Sequence, residues 1–323
     1  MTWPASAPEE FAPRQGGEGR EGALLIRKGL DGSFSLWSEA FDECFHSGRG
    51  ALREASETFL APSQLERFQP GARLRVVEVC VGTGSNLALL LEACAARGIV
   101  LQWWGLELDT RPLALALSEP MFGQPFQPST LAVLEGLSRR GVWRSPRADC
   151  QILWGDARQT LPALLQERRR QIHLVWHDAF SPRRCPQLWT VEVLAAAADL
   201  LLPEGRWLSF TSAAAVREAL RLAGLHLVAM ELQEDHKPGT TAWSGGTLAS
   251  PTPLGPSPLW RQLTVMELDH LASGAGEPYR DPSAMADALT ILSRRRSVQS
   301  VALANGTRAS SSSWRRLWGV VRK

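Results

Sequence analysis

The chain has 323 residues, of which 44% are hydrophobic and 21% are charged. These fractions are typical of a globular protein with a substantial core, and they exclude a disordered or fibrous chain. The formal net charge of +2 gives no overall basis for nucleic-acid binding. No stretch has the apolar length of a membrane span and the first residues do not form a secretory signal, so we expect a cytoplasmic protein without a membrane partner.

The five cysteines are scattered without paired spacing: Cys44, Cys80, Cys94, Cys150 and Cys185. An odd number at such positions argues against a disulfide framework and against a zinc site. We therefore expect a reducing compartment and no metal.

Residues 1–30 are rich in Pro, Gly, Ala and Glu and lack hydrophobic periodicity, which predicts a flexible leader. From residue 71 onward, apolar strands alternate with helical patterns. The predicted strands are Arg73–Val81, Val100–Leu108, Cys150–Trp154, Ile172–Trp176, Gly205–Thr211 and Leu225–Glu231, and the predicted helices are Asn86–Arg97, Thr160–Arg169, Trp189–Leu202 and Ala213–Ala223. This alternation predicts an α/β fold with a doubly wound, mostly parallel, Rossmann-like sheet.

One more strand is expected at Gln262–Leu268, after a connection over residues 236–260 that is rich in Gly, Ser, Pro and Thr. No helical pattern separates this strand from the one that ends near Glu231, so it would run antiparallel to its neighbour. A parallel sheet with one antiparallel strand is the pattern of class I methyltransferases. We therefore expect such a domain over residues 31–270, followed by a basic, disordered tail over 271–323.

A glycine turn follows the first predicted strand, within Leu74–Asn86. Glycine lets a backbone approach a ligand closely, and the N-terminus of the next helix offers unpaired N–H groups, so Gly82, Thr83 and Gly84 are candidate ligand contacts. Glu78 lies shortly before this turn, where a carboxylate would repel a phosphate. The arrangement suits a cofactor with a cationic centre and a ribose, such as S-adenosylmethionine.

Acidic residues recur where the predicted strands end. Glu107 ends the second strand, roughly twenty residues past the glycine turn, where a carboxylate accepts both ribose hydroxyls of an adenosine. Asp109 is a rival for this role, but Glu107 lies deeper in the strand end. Asp156 ends the third strand and would accept the adenine amino group, with a backbone contact from Ala157. The alternative is that Asp156 only caps the following helix.

Asp178 closes the fourth predicted strand, and Phe180 and Pro182 follow it. An Asp followed by a turn and an aromatic residue resembles the Asp/Asn-Pro-Pro-aromatic motif of amino-directed methyltransferases. The resemblance implies that Asp178 holds the nucleophilic nitrogen and that Phe180 supports the substrate. The alternative is that Asp178 only shapes the turn. Neighbouring residues of a strand point to opposite sides, so His177 is expected to face away and to be structural.

Four segments occur in the order found in one family, namely Phe41–Ser47, Val81–Asn86, Gly155–Ala157 and Asp178–Trp189. Together they resemble the methyltransferase half of the bacterial, bifunctional MnmC-type enzymes of tRNA wobble uridine, a half that also exists free-standing. The resemblance covers about residues 31–245. It implies methylation, by S-adenosylmethionine, of the 5-aminomethyl group of the wobble uridine in the tRNA anticodon stem-loop. The product would be 5-methylaminomethyl-uridine or its 2-thio form.

By this similarity Asp178 lies beside the target amine, while Ser47 and Glu54 belong to a segment that closes over the methionine end of the cofactor. The residues expected to bind the cofactor are Ser47, Glu54, Glu78, Gly82, Thr83, Gly84, Asn86, Glu107, Asp156 and Ala157.

The chain also departs from the family. The family usually has Tyr where this chain has Phe45, and commonly has Asn where it has Cys185. The oxidase half of the bifunctional enzyme has no counterpart here, so a separate oxidoreductase would perform the partner reaction.

Contacts with RNA are expected outside the core motifs. Lys237 and Trp243 lie in the connection before the last predicted strand, where methyltransferases often add substrate contacts. The tail carries several arginines together with Trp314 and Trp318, which would supply charge and base stacking. The alternative for the tail is a solubilising, disordered extension.

Two other functions remain open from the sequence. A spermidine-synthase-like aminopropyltransferase shares the sheet, the ribose carboxylate and the Asp at the fourth strand, but it usually has more tyrosines than the single Tyr279 of this chain. A non-catalytic protein that keeps the fold and binds RNA or another partner is the third possibility. The loss of the family's Tyr at Phe45 keeps it open.

Overall fold

The computed structural model describes residues 22–231 and 244–320, so that the predicted RNA contacts Lys237 and Trp243 lie outside the described residues. The strands are β1 (Leu24–Lys28), β2 (Phe34–Ser38), β3 (Glu43–Cys44), β4 (Arg73–Val79), β5 (Val100–Glu107), β6 (Val142–Arg144), β7 (Ala148–Trp154), β8 (Ile172–His177), β9 (Leu201–Ser209), β10 (His226–Met230), β11 (Gly246–Ser250) and β12 (Trp260–Arg261).

The α-helices are α1 (Ala51–Glu54), α2 (Ala61–Ser63), α3 (Ser85–Arg97), α4 (Arg111–Ser118), α5 (Pro120–Gly123), α6 (Pro128–Arg140), α7 (Ala157–Arg168), α8 (Val191–Asp199), α9 (Ala214–Leu222), α10 (Val265–Ala272), α11 (Ala288–Ala304) and α12 (Ser311–Trp318). A π-helical segment, Ala55–Leu60, joins α1 to α2, and short 3-10 helices cover Leu65–Arg67, Pro186–Trp189 and Gly274–Gly276.

Nine of the described strands form one sheet in the order β12-β10-β11-β9-β8-β4-β5-β7-β6. β4 pairs in parallel with β5 and β8, β5 with β7, and β8 with β9. Parallel neighbours require crossover connections, which α3 provides between β4 and β5 and α8 provides between β8 and β9. The predicted α/β fold with a mostly parallel, doubly wound sheet is therefore confirmed.

The antiparallel strand of this sheet lies elsewhere than predicted. It is β11, which is inserted between β9 and β10 and pairs antiparallel with both. The prediction of a strand at Gln262–Leu268 is wrong, because Thr264 and Glu267 form a capping box that starts α10. β11 comes instead from the connection rich in small residues, and all five of its residues are buried. The edge strands β6 and β12 also pair antiparallel with their neighbours.

Helices cover both faces of the sheet and bury two apolar clusters. Val76 and Trp103 belong to the cluster under α3, whereas Val77 and Trp104 belong to the cluster under α8. Successive residues of a strand point to opposite faces, so a strand that is covered on both faces needs apolar residues at successive positions. This explains the nearly continuous apolar strands in the sequence.

A small antiparallel sheet of β1, β2 and β3 lies in front of the large sheet. Phe34 and Leu36 of β2 are buried and join the cluster under α3. Part of the predicted flexible leader, Leu24–Lys28, is therefore a strand in the structure. Residues 1–21 lie outside the described residues.

The expected disorder of the basic tail does not hold for residues 271–320, which carry α11 and α12. Ile291 and Tyr279 are buried in the apolar cluster under α8. Trp314 is only 4% exposed. Its Nε1 donates to the carbonyl of Met266 at 3.1 Å, and its ring stacks on His270 at 4.0 Å. Trp314 is therefore engaged in the protein core rather than available for base stacking. Within the described ranges, no helix has the length and apolar character of a membrane span.

Candidate active site

A cavity of about 970 Å³ lies at the carboxyl ends of β4, β5, β7 and β8. The strand order reverses between β4 and β8, and such a switch point is where open α/β sheets bind ligands. The front sheet and the loop that follows it contribute Phe41, Phe45, His46 and Ser47 to the cavity wall. Cys185, the second departure from the family pattern, also lines it.

The glycine turn needs its glycines at two positions. Gly82 has φ of 55° and Gly84 has φ of 82°, both in the left-handed region. A Cβ on Gly82 would lie 3.1 Å from Cδ1 of Phe45, and one on Gly84 would lie 2.9 Å from Cδ1 of Leu113. Gly82 lines the cavity, whereas Gly84 caps α3 and Thr83 is buried against Ser85 behind the wall.

Glu107 is held at the cavity edge by three backbone amides. Its Oε2 accepts from the amide of Gly82 at 2.9 Å, and its Oε1 accepts from the amides of Leu108 at 2.7 Å and Asp109 at 2.9 Å. Burial raises the pKa of Glu107, and these hydrogen bonds oppose the rise. Asp109 also lines the cavity, but both oxygens of its carboxylate are engaged by Arg111, with the shortest contact at 2.6 Å.

Asp156 both caps a helix and lines the cavity. Its Oδ1 accepts from the amide of Arg158 at 2.9 Å, which caps α7, as the alternative reading of the sequence proposed. Nη2 of Arg158 also lies 2.7 Å from Oδ2 of Asp156. The adjacent Ala157 lines the cavity too. Asp156 can therefore cap α7 and still contact a ligand in the cavity.

Asp178 follows β8 directly and lines the cavity near Glu54 and Ser47. Nδ2 of Asn86 donates to Oδ2 of Asp178 at 2.8 Å. Burial and the charge of Glu54 raise the pKa of Asp178 to about 8, although the hydrogen bond from Asn86 lowers it. Glu54 is itself fixed, because its Oε2 accepts from the amide of Ser47 at 2.9 Å.

Glu78 lies behind the cavity wall instead of in it. The residue is fully buried within β4, and its Oε2 accepts from Nε1 of Trp103 at 3.0 Å. Burial, followed by the charge of Asp178, raises the pKa of Glu78 to about 8. Hydrogen bonds from Trp103 and from the side chain of Asn86 act to lower this pKa but do not offset the rise. Glu78 therefore holds a proton at neutral pH and lies behind the cavity wall as a mostly uncharged group.

Phe180 belongs to an aromatic cluster at the cavity. Its ring stacks on Phe41 at 4.4 Å between ring centres and makes a T-shaped contact with Phe45 at 5.0 Å. Nε1 of Trp189 donates to the carbonyl of Phe180 at 2.8 Å. The orientation of Phe180 is thus fixed from both its side chain and its backbone.

His177 does not take part in the cavity wall. Its ring packs between Trp189, at 4.5 Å, and Trp207, at 5.5 Å. Burial lowers the pKa of His177 to about 3, although a hydrogen bond with the backbone of Leu188 acts to raise it. The ring is therefore neutral. This agrees with the structural role expected for it.

Three contributors to the site were not assigned from the sequence: Phe41, Glu43 and Arg158. Oε2 of Glu43 accepts from the hydroxyl of Ser181 at 2.7 Å, which ties β3 to the loop after Asp178. Phe41 and Glu43 belong to a segment that already resembled the family, so a signal existed for them. Arg158 carried no such signal.

The residues at this cavity fit S-adenosylmethionine. A fixed carboxylate at Glu107 suits a ribose, Asp156 offers an acceptor for an amino group, and the missing side chain of Gly82 leaves space at the backbone. The acidic wall suits a sulfonium better than a phosphate. Among the described residues, no group of His, Cys, Asp and Glu has an arrangement that would hold a metal ion.

Comparison with known proteins agrees with this geometry. Residues 126–244 match a family model described as S-adenosyl-L-methionine-dependent methyltransferase. The tRNA 5-methylaminomethyl-2-thiouridine biosynthesis bifunctional protein MnmC of Pseudomonas syringae pv. syringae is 30% identical over 250 residues, which cover 68% of this chain and 36% of that protein. An uncharacterized protein of Methanocaldococcus jannaschii is 29% identical over 192 residues, which cover 59% of this chain and 51% of that protein.

The crystal structure of MNMC2 from Aquifex aeolicus matches with a TM-score of 0.73 at 26% identity, and the match covers 85% of each chain. The chain spans about a third of the length of the bifunctional relatives that it matches, 36% for the one from Pseudomonas syringae. These matches confirm the resemblance predicted from the sequence. They also support S-adenosyl-L-methionine as the cofactor.

Proposed function

We propose that this chain, an S-adenosyl-L-methionine-dependent methyltransferase similar to MnmC, methylates the amine of the 5-aminomethyl group on the wobble uridine of tRNA. The product is 5-methylaminomethyl-uridine, with or without 2-thiolation. The observation that carries the proposal is the position of Asp178, which lines the cavity at the end of β8 beside the fixed ring of Phe180. An oriented carboxylate next to an aromatic wall is what a primary amine on a planar base requires.

The cofactor side of the cavity is assigned to a separate set of residues. S-adenosyl-L-methionine supplies a methyl group that is already activated on a sulfonium. Glu107 would accept the ribose hydroxyls, and Asp156 with Ala157 would contact the adenine. Ser47 and Glu54 would hold the methionine end, since both line the cavity next to Asp178.

The charges of the site support cationic reactants. Asp178 and Glu54 line one cavity, and Glu78 is buried behind them. Because neighbouring carboxylates disfavour each other's ionisation, a bound cation stabilises the ionised pair. A sulfonium and an alkyl amine are both suited to such a wall, whereas a phosphate is not.

Asp178 has two roles in the proposed reaction. An alkyl amine has a pKa of roughly 10, like lysine, and it must lose a proton before or during attack. The raised pKa of Asp178, about 8, makes its carboxylate a stronger base than an ordinary aspartate. Asp178 would therefore orient the neutral amine and receive its proton as the nitrogen–carbon bond forms, while the carbon–sulfur bond of the sulfonium breaks and S-adenosylhomocysteine leaves. Asn86 holds the carboxylate in the required orientation through its hydrogen bond.

Phe180 is assigned to the base. Because Phe41 stacks on it and Phe45 makes a T-shaped contact with it, its ring forms a rigid wall beside Asp178. RNA-binding proteins commonly stack an unstacked base on such a ring. We assign further tRNA contacts to Lys237 and Trp243, which lie outside the described residues.

The proposal places the chain in the cytoplasm with tRNA as its partner. A separate oxidoreductase would supply the 5-aminomethyl precursor. Aminopropyl transfer gains no support, because Tyr279, the only tyrosine of the sequence, is buried in the C-terminal segment and does not line the cavity.

Two synthetic anticodon stem-loops test the proposal directly. One carries 5-aminomethyluridine at the wobble position and the other carries uridine. With labelled S-adenosyl-L-methionine, we expect label only in the first stem-loop. Labelling of both, or of spermidine instead, would contradict the proposal. Lys237→Ala and Trp243→Ala are expected to raise the KM for the stem-loop and to leave the affinity for S-adenosylhomocysteine unchanged.

A further inference from the structure

The C-terminal segment 279–287 packs beside the cavity, against the first turn of α8. The amide of Val191 donates to the carbonyl of Tyr279 at 3.0 Å, and the amide of Asp281 donates to Oε2 of Glu192 at 2.9 Å. Tyr279 is 4% exposed and Asp281 is 1% exposed. The segment lies outside residues 126–244, which match the family model, and it was expected to be disordered. It is instead a fixed part of the fold next to the site.

One guanidinium joins this segment to the cavity. Nη2 of Arg158 lies 2.7 Å from Oδ2 of Asp156, and Nε donates to both oxygens of the same carboxylate at 3.2 and 3.1 Å. Nη1 of Arg158 donates to Oδ2 of Asp281 at 2.9 Å and to the carbonyl of Ala286 at 2.8 Å. Arg158 thus uses one edge for the cavity carboxylate and the opposite end for the C-terminal segment.

Asp281 is itself held on its other side. The hydroxyl of Ser283 donates to Oδ1 of Asp281 at 2.7 Å, and the amide of Ala286 approaches both carboxylate oxygens. Burial acts to raise the pKa of Asp281, but the hydrogen bonds from Ser283 and Arg158 outweigh it and lower the pKa. Asp281 is therefore a fixed negative charge at the far end of Arg158.

We propose that Asp281 is a positioning residue of the cofactor site, which fixes Arg158 and through it the carboxylate of Asp156. The planar guanidinium binds carboxylates at two edges, so its orientation is set only when both edges are engaged. Without Asp281, Nη1 of Arg158 keeps only its hydrogen bond to the carbonyl of Ala286, so the guanidinium is held less firmly. The Oδ2 side of Asp156, which this guanidinium holds, then loses support, because the side chain of Asp156 is 32% exposed and only its Oδ1 is held by the backbone amide of Arg158. The inference rests on the proposed adenine contact of Asp156, but not on the identity of the methyl acceptor.

The test is a calorimetric titration of the whole chain with S-adenosylhomocysteine. Asp281→Asn is expected to weaken the affinity about tenfold, the size of one lost hydrogen bond between charged groups. Arg158→Lys keeps the positive charge but cannot bind two carboxylates at once through a planar guanidinium. We expect its affinity for S-adenosylhomocysteine to fall as well. The two residues act in one chain of contacts, so their effects should not add. The double variant should therefore bind S-adenosylhomocysteine no more weakly than the single variant with the larger loss of affinity.

Arg280→Gln is the matched control. Arg280 is the neighbour of Asp281, but its Nε bonds to Glu192 at 2.7 Å and its side chain is 56% exposed. We expect its affinity for S-adenosylhomocysteine to equal that of the wild type. The KM for the methyl acceptor should stay unchanged in Asp281→Asn, while the KM for S-adenosyl-L-methionine rises.

A purely structural role of Asp281 gives a different result. Asp281→Asn would then melt at a lower temperature but bind S-adenosylhomocysteine with wild-type affinity, and this would overturn the inference. If that variant does not fold, unchanged affinity in Arg158→Lys overturns it equally, and weaker affinity supports it. A wild type that binds S-adenosylhomocysteine but methylates no tRNA overturns only the proposed function. A wild type that does not bind it overturns both.

Discussion

The side-chain amide of Asn86 donates a hydrogen bond of 2.8 Å to the carboxylate of Asp178. Asn86 lies in the first turn of α3, directly after the glycine turn, while Asp178 follows β8. β4 and β8 pair in parallel, so both loops emerge at the same edge of the sheet. The glycine turn therefore starts a helix whose first turn orients the acid. Asn86 was expected to contact the cofactor, and we now propose that it positions Asp178.

Replacement of the acid tests its role in proton transfer. Asp178→Asn keeps the shape of the side chain but removes the base, so we expect the methyl-transfer rate to fall about 10²- to 10⁴-fold. Affinity for S-adenosylhomocysteine should change only a few-fold. Single-turnover kinetics and calorimetry measure the two quantities. Asp199→Asn, at an exposed ion pair with Arg169, is the control and should behave like the wild type. Wild-type turnover in Asp178→Asn would refute the assignment.

Two substitutions around Asp178 should shift the pH profile in opposite directions. The ionised carboxylate is the base, so kcat/KM should rise with pH through the pKa of Asp178, about 8. Asn86→Ala removes a hydrogen bond that lowers this pKa, so the rise should move to higher pH. Glu54→Gln removes a negative charge that raises it, so the rise should move to lower pH. A shift of both variants in the same direction would contradict the arrangement.

Glu78 should make the ligand-free protein less stable as pH rises. Its pKa is about 8 in the folded protein and 4.5 as the ordinary value. Between these values the folded state holds a proton that the unfolded state has released, so the free energy of unfolding falls as pH increases.

Glu78→Gln resembles the protonated form and should therefore be more stable than the wild type at pH 8.5. We expect a difference of at least about 1.4 kcal/mol, the equivalent of one pKa unit. Urea unfolding at pH 5.5 and pH 8.5 measures it, with the exposed Glu135→Gln as the control. Equal stability of Glu78→Gln and wild type at both pH values would show that ionisation of Glu78 does not lower the free energy of unfolding.

The aromatic cluster around Phe180 should contribute more to binding of the methyl acceptor than to binding of the cofactor. Phe180→Ala removes the ring that Phe41 and Phe45 hold in place, so we expect kcat/KM for the stem-loop to fall at least about tenfold, as for loss of one base–aromatic stack. Affinity for S-adenosylhomocysteine should remain within a few-fold of the wild type. Phe126→Leu, in the apolar cluster under α3, is the control for general loss of aromatic packing. If Phe180→Ala lost affinity for the cofactor but not for the stem-loop, the ring would belong to the cofactor site, which would contradict the prediction.

The large sheet could be predicted because its signals are local. The strands are apolar on both faces. Glu107 ends one of them, and Asp156 and Asp178 each come shortly after another, all at the same edge of the sheet. Parallel topology alone then brings these carboxylates to one cavity. The side-chain hydrogen bonds within the site could not be predicted in the same way, because a bond between residues 86 and 178 depends on the final packing.

The predictions that the structure contradicts, a strand at Gln262–Leu268 and a disordered tail, rested on local sequence patterns that other interactions outweigh. Gln262–Leu268 is apolar enough for a strand, but Thr264 and Glu267 start a helix, and the buried Arg217 holds Glu267 at 3.0 Å. The capping box was readable from the sequence. The packing of the tail was not, since the burial of Trp314 depends on tertiary contacts such as its hydrogen bond to Met266 of α10. The link from Arg158 to Asp281 likewise joins residues 123 positions apart.

The central claim is that the chain methylates the amine of a wobble 5-aminomethyluridine. The most direct test uses bulk tRNA from a strain that lacks the wobble methyltransferase, incubated with the purified chain and labelled S-adenosyl-L-methionine. After digestion, the labelled nucleoside is identified by chromatography and mass. We predict label in 5-methylaminomethyl-uridine or its 2-thio form. Label in any other nucleoside, or none despite measured binding of S-adenosylhomocysteine, would contradict the account.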